Sequence, residues 1–153
     1  MTTIVIVREG DWIVMAADGR VTDEGDICSE CDRKIFRHKN ELFGVAGNAD
    51  ECDALLAWFR RGRKGRKPGS RHSSFMYVGT DGVPYVSTEG SRPTPFDLPR
   101  AIGSGKDLAM GAALAGVGAR EAVHIAMRRD TRTGGKVRSA RVLASPGGRH
   151  GKH

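Results

Sequence analysis

The chain has 153 residues, 39% of them apolar and 28% charged. That suits one compact domain and excludes wholesale disorder or two full domains. The net charge is +7, yet no apolar run reaches the roughly 18–20 residues needed to cross a bilayer, so a membrane partner is not expected. The opening MTTIVIVREGDW has no basic start, no long hydrophobic region and no small-residue cleavage site, so no secretory signal is expected. Three cysteines, Cys28, Cys31 and Cys52, cannot all pair internally, which points to a reducing cytoplasm.

The charge is local. Residues 60–71, RRGRKGRKPGSR, hold seven basic side chains and no acid, and without them 18 Lys and Arg balance 18 Asp and Glu. A Gly/Pro-interrupted block of this kind reads first as a solvated loop, and second as a patch for nucleic acid, an acidic partner or a cavity wall. No aromatic falls inside the run, which makes it a poor surface for stacking bases.

In chain order, Thr2–Val7 and Trp12–Ala17 read as a β-hairpin across Arg8–Asp11, apolar enough to be buried on both faces. Thr22–Asp32 is polar and turn-rich. Lys34–Phe36 and Glu41–Ala46 form a second strand pair. Asn48-Ala49-Asp50-Glu51 has the spacing of a capping box, Asn48 accepting the Glu51 amide and the Glu51 side chain returning the contact. Behind it Cys52, Leu55, Leu56 and Phe59 mark one apolar helix face that runs out at Gly62. Ser74–Gly79 and Val83–Ser87 flank the turn Thr80-Asp81-Gly82, with Pro84 indicating an edge or a bulge. Residues 88–100 read as a loop. Ser104 caps a helix to Ala115, whose small face is Leu108, Gly111, Ala112 and Ala115. A further helix to Arg129 carries Ala119, Ala122, Val123 and Ala126 on one side. Val137–Leu143 is a last strand, residues 1–144 make a single domain, and 145–153 is expected to be a disordered tail. Strands that follow one another without intervening helices predict α+β, with largely antiparallel sheets and helices outside them.

The sharpest chemical feature is Thr2. Removal of Met1 before so small a residue is expected, and it places a hydroxyl nucleophile and a general base, the α-amine, in one residue. A free α-amine has a pKa near about 8, so much of it is neutral at physiological pH. Many chains begin Met-Thr without any such role, so the dipeptide alone decides nothing.

The stretch TTIVIVREGDWIVMAADGRVT resembles the opening of the proteasome β-subunit and HslV family. There the first strand begins with a catalytic threonine and the second ends in an Asp-Gly turn. Asp18 falls on the family's acid, and Lys34 on its active-site lysine, at the same separation from Thr2. Val45-Ala46-Gly47 resembles the turn whose amide forms the oxyanion hole. Ile102-Gly103-Ser104-Gly105 is similar to the Gly-Ser-Gly that carries the active-site serine. Arg129-Asp130-Thr131-Arg132-Thr133-Gly134-Gly135 resembles the Arg-Asp-x-x-Ser-Gly turn, with Thr133 in place of the serine. The matches keep their order from residue 2 to about 143.

The resemblance implies a four-layer αββα sandwich of the N-terminal-nucleophile-hydrolase type and a threonine endopeptidase acting without a cofactor. Each residue type has a chemical reason to be there. Lys34 places a cation beside the nucleophile and disfavours the protonated amine, and Asp18 holds that lysine. Gly47 leaves room for a carbonyl and presents its N–H to an oxyanion. Ser104, Asp130 and Thr133 can form a hydrogen-bonded network around the amine. Without catalysis, the same residues read as a salt bridge, a helix cap and a turn. The family's cleft further implies that Val21, Cys31, Asp32, Val45 and Ala49 line the pocket for the residue before the scissile bond. Implied partners are peptide or unfolded protein substrates, further copies of this chain in two stacked rings, and an ATPase unfoldase.

Segment 48–73 has room for one helix plus the basic loop where the family has two long helices, so shortened helical layers are expected. Cys28-Ser29-Glu30-Cys31 has metal-ligand spacing, but a structural zinc site needs about four ligands and no second pair exists, so no metal is expected. The histidines, His38, His72, His124, His150 and His153, show no triad spacing. The competing readings are a catalytically idle proteasome-like shell protein and a nucleic-acid-binding protein using residues 60–71. Retention of Thr2, Asp18, Lys34 and Gly47 argues against the first.

Overall fold

A computed structural model describes residues 2–144, so Met1 and the tail expected over 145–153 lie outside the described residues. β1 (Thr3–Glu9) and β2 (Trp12–Ala17) form the expected hairpin, with Ile4 opposite Ala17 and Glu9 opposite Trp12. β3 (Val21–Asp23) and β4 (Asp26–Ser29) pair where the sequence reads only as turns, because Glu24 and Gly25, both at positive φ, close a tight connection between short polar strands. β5 (Ile35–His38), β6 (Glu41–Gly47), α1 (Ala49–Arg60), β7 (Ser73–Val78) and β8 (Pro84–Ser87) follow as expected. Two strands were not expected within residues 88–103: β9 (Thr94–Pro95) and β10 (Arg100–Gly103). The chain then runs through α2 (Lys106–Leu114), α3 (Ala119–Met127) and β11 (Arg138–Leu143).

Apart from the two-stranded β3–β4 sheet, the strands make two antiparallel sheets, ordered β10-β1-β2-β11 and β5-β6-β7-β8-β9. Because side chains alternate along a strand, each sheet sorts its residues onto two faces. Ile4, Ile6, Ile13 and Met15 of the first sheet meet Leu42, Met76 and Val86 of the second between the sheets. Val5, Val7, Val14 and Ala16 face outward onto α2 and α3. Phe43, Val45, Phe75 and Tyr77 face outward onto Leu55, Trp58 and Phe59 of α1. This is the αββα sandwich, with one helix on its second outer face. Among the described residues no helix is long and apolar enough to cross a membrane.

Several local expectations change. Pro84 is the first residue of β8 rather than an edge or bulge residue, since β9 pairs on the far side of that strand. Asn48 Oδ1 does accept the Glu51 amide at 3.0 Å, but the Glu51 side chain does not return to the cap. It instead accepts from Ser73 Oγ at 2.7 Å and the His72 amide at 3.0 Å, tying the start of α1 to β7. On α2 three of the four residues of the expected face, Leu108, Gly111 and Ala115, are exposed and only Ala112 packs on the core, while Ala109 is fully buried. An Ala/Gly/Leu helix is apolar almost all round, so its periodicity does not select a face.

The basic segment lies against the sheet. Past α1, the Gly62 N–H donates to Phe59 O and the Arg63 N–H to Trp58 O, the bond pair of a Schellman motif, with Gly62 at φ +75°. The reversal directs Arg63 back over β7. Its guanidinium carbon lies 4.6 Å from the Tyr77 ring centroid, and its Nη1 lies 3.0 Å from Glu41 Oε2. Part of the loop thus covers the outer face of the second sheet beside α1.

Candidate active site

Thr2 stands at the foot of β1, and the alternation of the strand separates it from Thr3. Thr2 lines an open cleft of about 700 Å³, together with Lys34, Val45, Gly47 and Ala49. The Thr3 hydroxyl points the other way, fully buried, 2.7 Å from Thr133 Oγ1. Only the first of the two adjacent threonines opens on the cleft.

Behind Thr2 sits Asp18, almost completely buried at the end of β2. Its Oδ1 accepts from the Thr3 amide and from Lys34 Nζ, each at 3.0 Å. Its Oδ2 accepts from the amides of Gly134, at 3.0 Å, and Arg20, at 3.3 Å. Four donors converging on one buried carboxylate fix its orientation. Lys34 precedes β5 and also donates to Arg20 O. Burial pushes the Lys34 ammonium below its ordinary pKa of 10.5, while the charge of Asp18 and its hydrogen bond pull the other way.

In the same cleft, Gly47 ends β6 at φ +132°. A Cβ there would collide with His72 O and the Ser73 backbone, so the position excludes every other residue. Val45 donates its N–H to Lys34 O at 3.0 Å, on the β5 side of the strand. By the two-residue alternation, the Gly47 N–H falls on that same side, where β5 has not yet begun.

Ser104, Asp130 and Thr133 come together on the far side of β1. The Ser104 hydroxyl donates to Asp130 Oδ2 at 2.6 Å, and the Thr133 hydroxyl donates to the same oxygen. Ser104 is therefore not the helix cap expected of it: α2 is capped at Gly105, without a side-chain bond. Ser104 Oγ also lies 3.5 Å from Thr2 O, and one hydroxyl proton cannot serve both oxygens, so the shorter bond to Asp130 holds it. Gly103 permits this approach, since a Cβ there would overlap Thr2 O. Burial pushes the Asp130 carboxyl up, but the hydrogen bonds from Ser104, Thr133 and the Arg132 amide bring it on balance below its usual 3.8.

Of the residues implied for the substrate pocket, Val21, Asp32, Val45 and Ala49 line the cleft. Cys31 does not. Its backbone packs against Gly19 and its side chain is exposed, while the neighbouring Asp32 N–H, bonded to Gly19 O, turns the chain into the cleft. Cys52 and His72 also line the cleft, but burial pushes the Cys52 thiol up to about 11, so it stays protonated at neutral pH and is no rival nucleophile. Among the described residues no group of three or more His, Cys, Asp or Glu is arranged to hold a metal.

Arg20 is the structural participant that sequence reasoning missed, although it sits inside the quoted AADGR. Its guanidinium takes Glu30 through two bonds, at 2.7 and 3.1 Å, and donates to Thr131 O at 2.9 Å. It thereby straps the segment carrying Thr133 and Gly134 to the turn after Asp18.

No protein-family model matches the sequence. Solved structures do match its fold. HslV from Trypanosoma brucei superposes with a TM-score of 0.75 at 21% identity, over 93% of this chain and 99% of that one. The chain has the HslV fold. Thiobacillus denitrificans BPH matches equally well in its complex with epoxomicin, with a TM-score of 0.75 at 20% identity over 95% of this chain and 100% of that one. A second structure of the same BPH gives 0.71 at 19% identity, over 95% of this chain and 100% of that one. The HslV-like sandwich expected from the sequence motifs is thus the architecture observed.

Proposed function

We propose that this chain is a threonine-type endopeptidase in which Thr2, freed of Met1, is the nucleophile. The observation that carries the reading is that Thr2, Lys34 and Gly47 line one cleft, with the Thr3 hydroxyl turned away toward Thr133. In the proposed cycle the neutral α-amine accepts the Thr2 hydroxyl proton while Oγ attacks the substrate carbonyl. The oxyanion is received by the Gly47 N–H. The α-ammonium then gives its proton to the departing amine, leaving an ester on Oγ that water hydrolyses by the same proton path. Lys34 favours the neutral amine and stabilises negative charge developing on Oγ, while Asp18 keeps Lys34 charged and in place. Ser104, its proton held by Asp130, offers a lone pair to the α-amine, and Thr133 supports Asp130.

The same reading makes Val21, Asp32, Val45 and Ala49 the walls of the pocket for the residue before the scissile bond, and peptides or unfolded proteins the substrates. It also takes residues 1–144 as a single domain working in the cytoplasm, in two stacked rings with an ATPase unfoldase. The likeness to HslV supports these points, as does the epoxomicin complex of the structurally similar BPH. Against a nucleic-acid role stands the use of Arg63 and Lys67 to cover aromatic rings of the sheet. The test is cleavage of a fluorogenic peptide by the Met1-free chain and its Thr2→Ala variant. The variant is expected to lose turnover by about 10³-fold or more while keeping its melting temperature. Equal turnover in both overturns the mechanism.

A further inference from the structure

Away from the cleft, at the C-terminal end of α1, a second pocket of about 560 Å³ lies between the basic loop and residues 90–93. Trp58, Tyr77, Arg63, Lys67 and Arg92 line it, and no carboxylate does among the described residues. Trp58 is 6% exposed, and its buried Nε1–H has no acceptor among the described residues.

The charges set the ligand class. Arg63 is already paired with Glu41. Lys67 Nζ donates to Ser70 Oγ at 2.9 Å and Pro68 O at 3.2 Å and lies over the Phe75 ring, with no carboxylate partner among the described residues, and Arg92 adds a second cation. Two cations in excess leave one uncompensated by a carboxylate, but match a phosphate monoester, which carries about −1.5 to −2 at neutral pH. The pocket is also larger than a bare phosphate needs and falls in the range of small-molecule sites. We propose that this pocket binds the phosphate group of a small phosphorylated molecule, with Lys67 and Arg92 as the charged contacts and the Trp58 and Tyr77 rings as part of its wall. Segment 60–71, which supplies the whole excess charge of the chain, thereby gains a role separate from peptide cleavage.

Fluorescence of the Trp12→Phe chain, in which Trp58 is the remaining tryptophan, tests this at constant ionic strength. Inorganic phosphate and phenyl phosphate are the two probes, with sodium chloride and phenol as controls. Both phosphates are expected to give a saturable change in the millimolar range or below, with neither control doing so. Tighter binding of phenyl phosphate assigns a phosphorylated organic molecule, and equal binding assigns the free anion, each with the phosphate site intact. Lys67→Ala and Arg92→Ala are each expected to weaken binding about tenfold or more without changing peptide turnover. No saturable change, or one that both substitutions leave untouched, overturns the site.

Discussion

The Lys34 ammonium lies 3.0 Å from Asp18 Oδ1, with both side chains almost wholly buried. The two substitutions that break this pair are not equivalent. Lys34→Ala leaves Asp18 with amide donors from Thr3, Arg20 and Gly134, whereas Asp18→Ala leaves a buried ammonium without its anion. Asp18→Ala is therefore expected to destabilise the chain by about 3–5 kcal/mol, and Lys34→Ala by clearly less. Peptide turnover is expected to fall in both, and Lys34→Arg is expected not to restore it, because a planar fork does not replace a compact ammonium. Urea melts and turnover of the three variants check the ordering.

Gly47→Ala is expected to cost about 1–3 kcal/mol, from a non-glycine residue at φ +132° and a Cβ driven onto His72 O. The same displacement moves the N–H assigned to the oxyanion, so turnover is expected to drop by about 10²–10³-fold with little change in KM. Steady-state kinetics separate the two effects, and a loss confined to KM would contradict the assignment.

Asp130 gives a prediction with a definite sign. Its carboxyl is held below its usual 3.8 in the folded chain. A carboxyl so lowered stabilises the fold above its unfolded value, and that contribution is lost as pH falls through the folded value. Asp130→Asn is expected to melt lower than the parent at neutral pH, and the two melting curves are expected to converge below about pH 4. A gap that persists unchanged into acid would show that the carboxylate charge plays no part.

Arg63→Ala removes a cation packed on Tyr77 and Phe59 and paired with Glu41. The expected loss is about 1–2 kcal/mol, more than an exposed loop residue contributes. Lys64→Ala, on the outer side of the same loop, is expected to be near neutral. Paired urea titrations of the two variants distinguish a covering loop from a solvated one.

What could be read from the sequence was whatever leaves a pattern in spacing or a motif. The β1–β2 hairpin and the face Ala119, Ala122, Val123, Ala126 of α3 declare themselves through period, and Thr2, Asp18, Lys34 and Gly47 through their resemblance to the motifs of the proteasome β-subunit and HslV family. Contacts set by tertiary approach did not. The helix cap expected of Ser104 is absent, because its hydroxyl meets Asp130 across 26 residues, a contact that only the family resemblance implied. Glu51 had the cap spacing, but Ser73 offered a better-placed donor. Arg20 carries no signal of its strap to Glu30 and Thr131, and the basic run gave no sign that Arg63 would fold back, since that depends on the aromatic face of a strand formed later.

The central claim is that Thr2 acts with both its hydroxyl and its free amine. Intact-mass measurement after incubation with a peptide epoxyketone tests it most directly, because the reagent closes a ring on those two groups together. The Met1-free chain is expected to gain the full reagent mass once, at Thr2, and the Thr2→Ala chain to gain nothing. An unmodified Met1-free chain, or an adduct that persists in Thr2→Ala, would contradict the account.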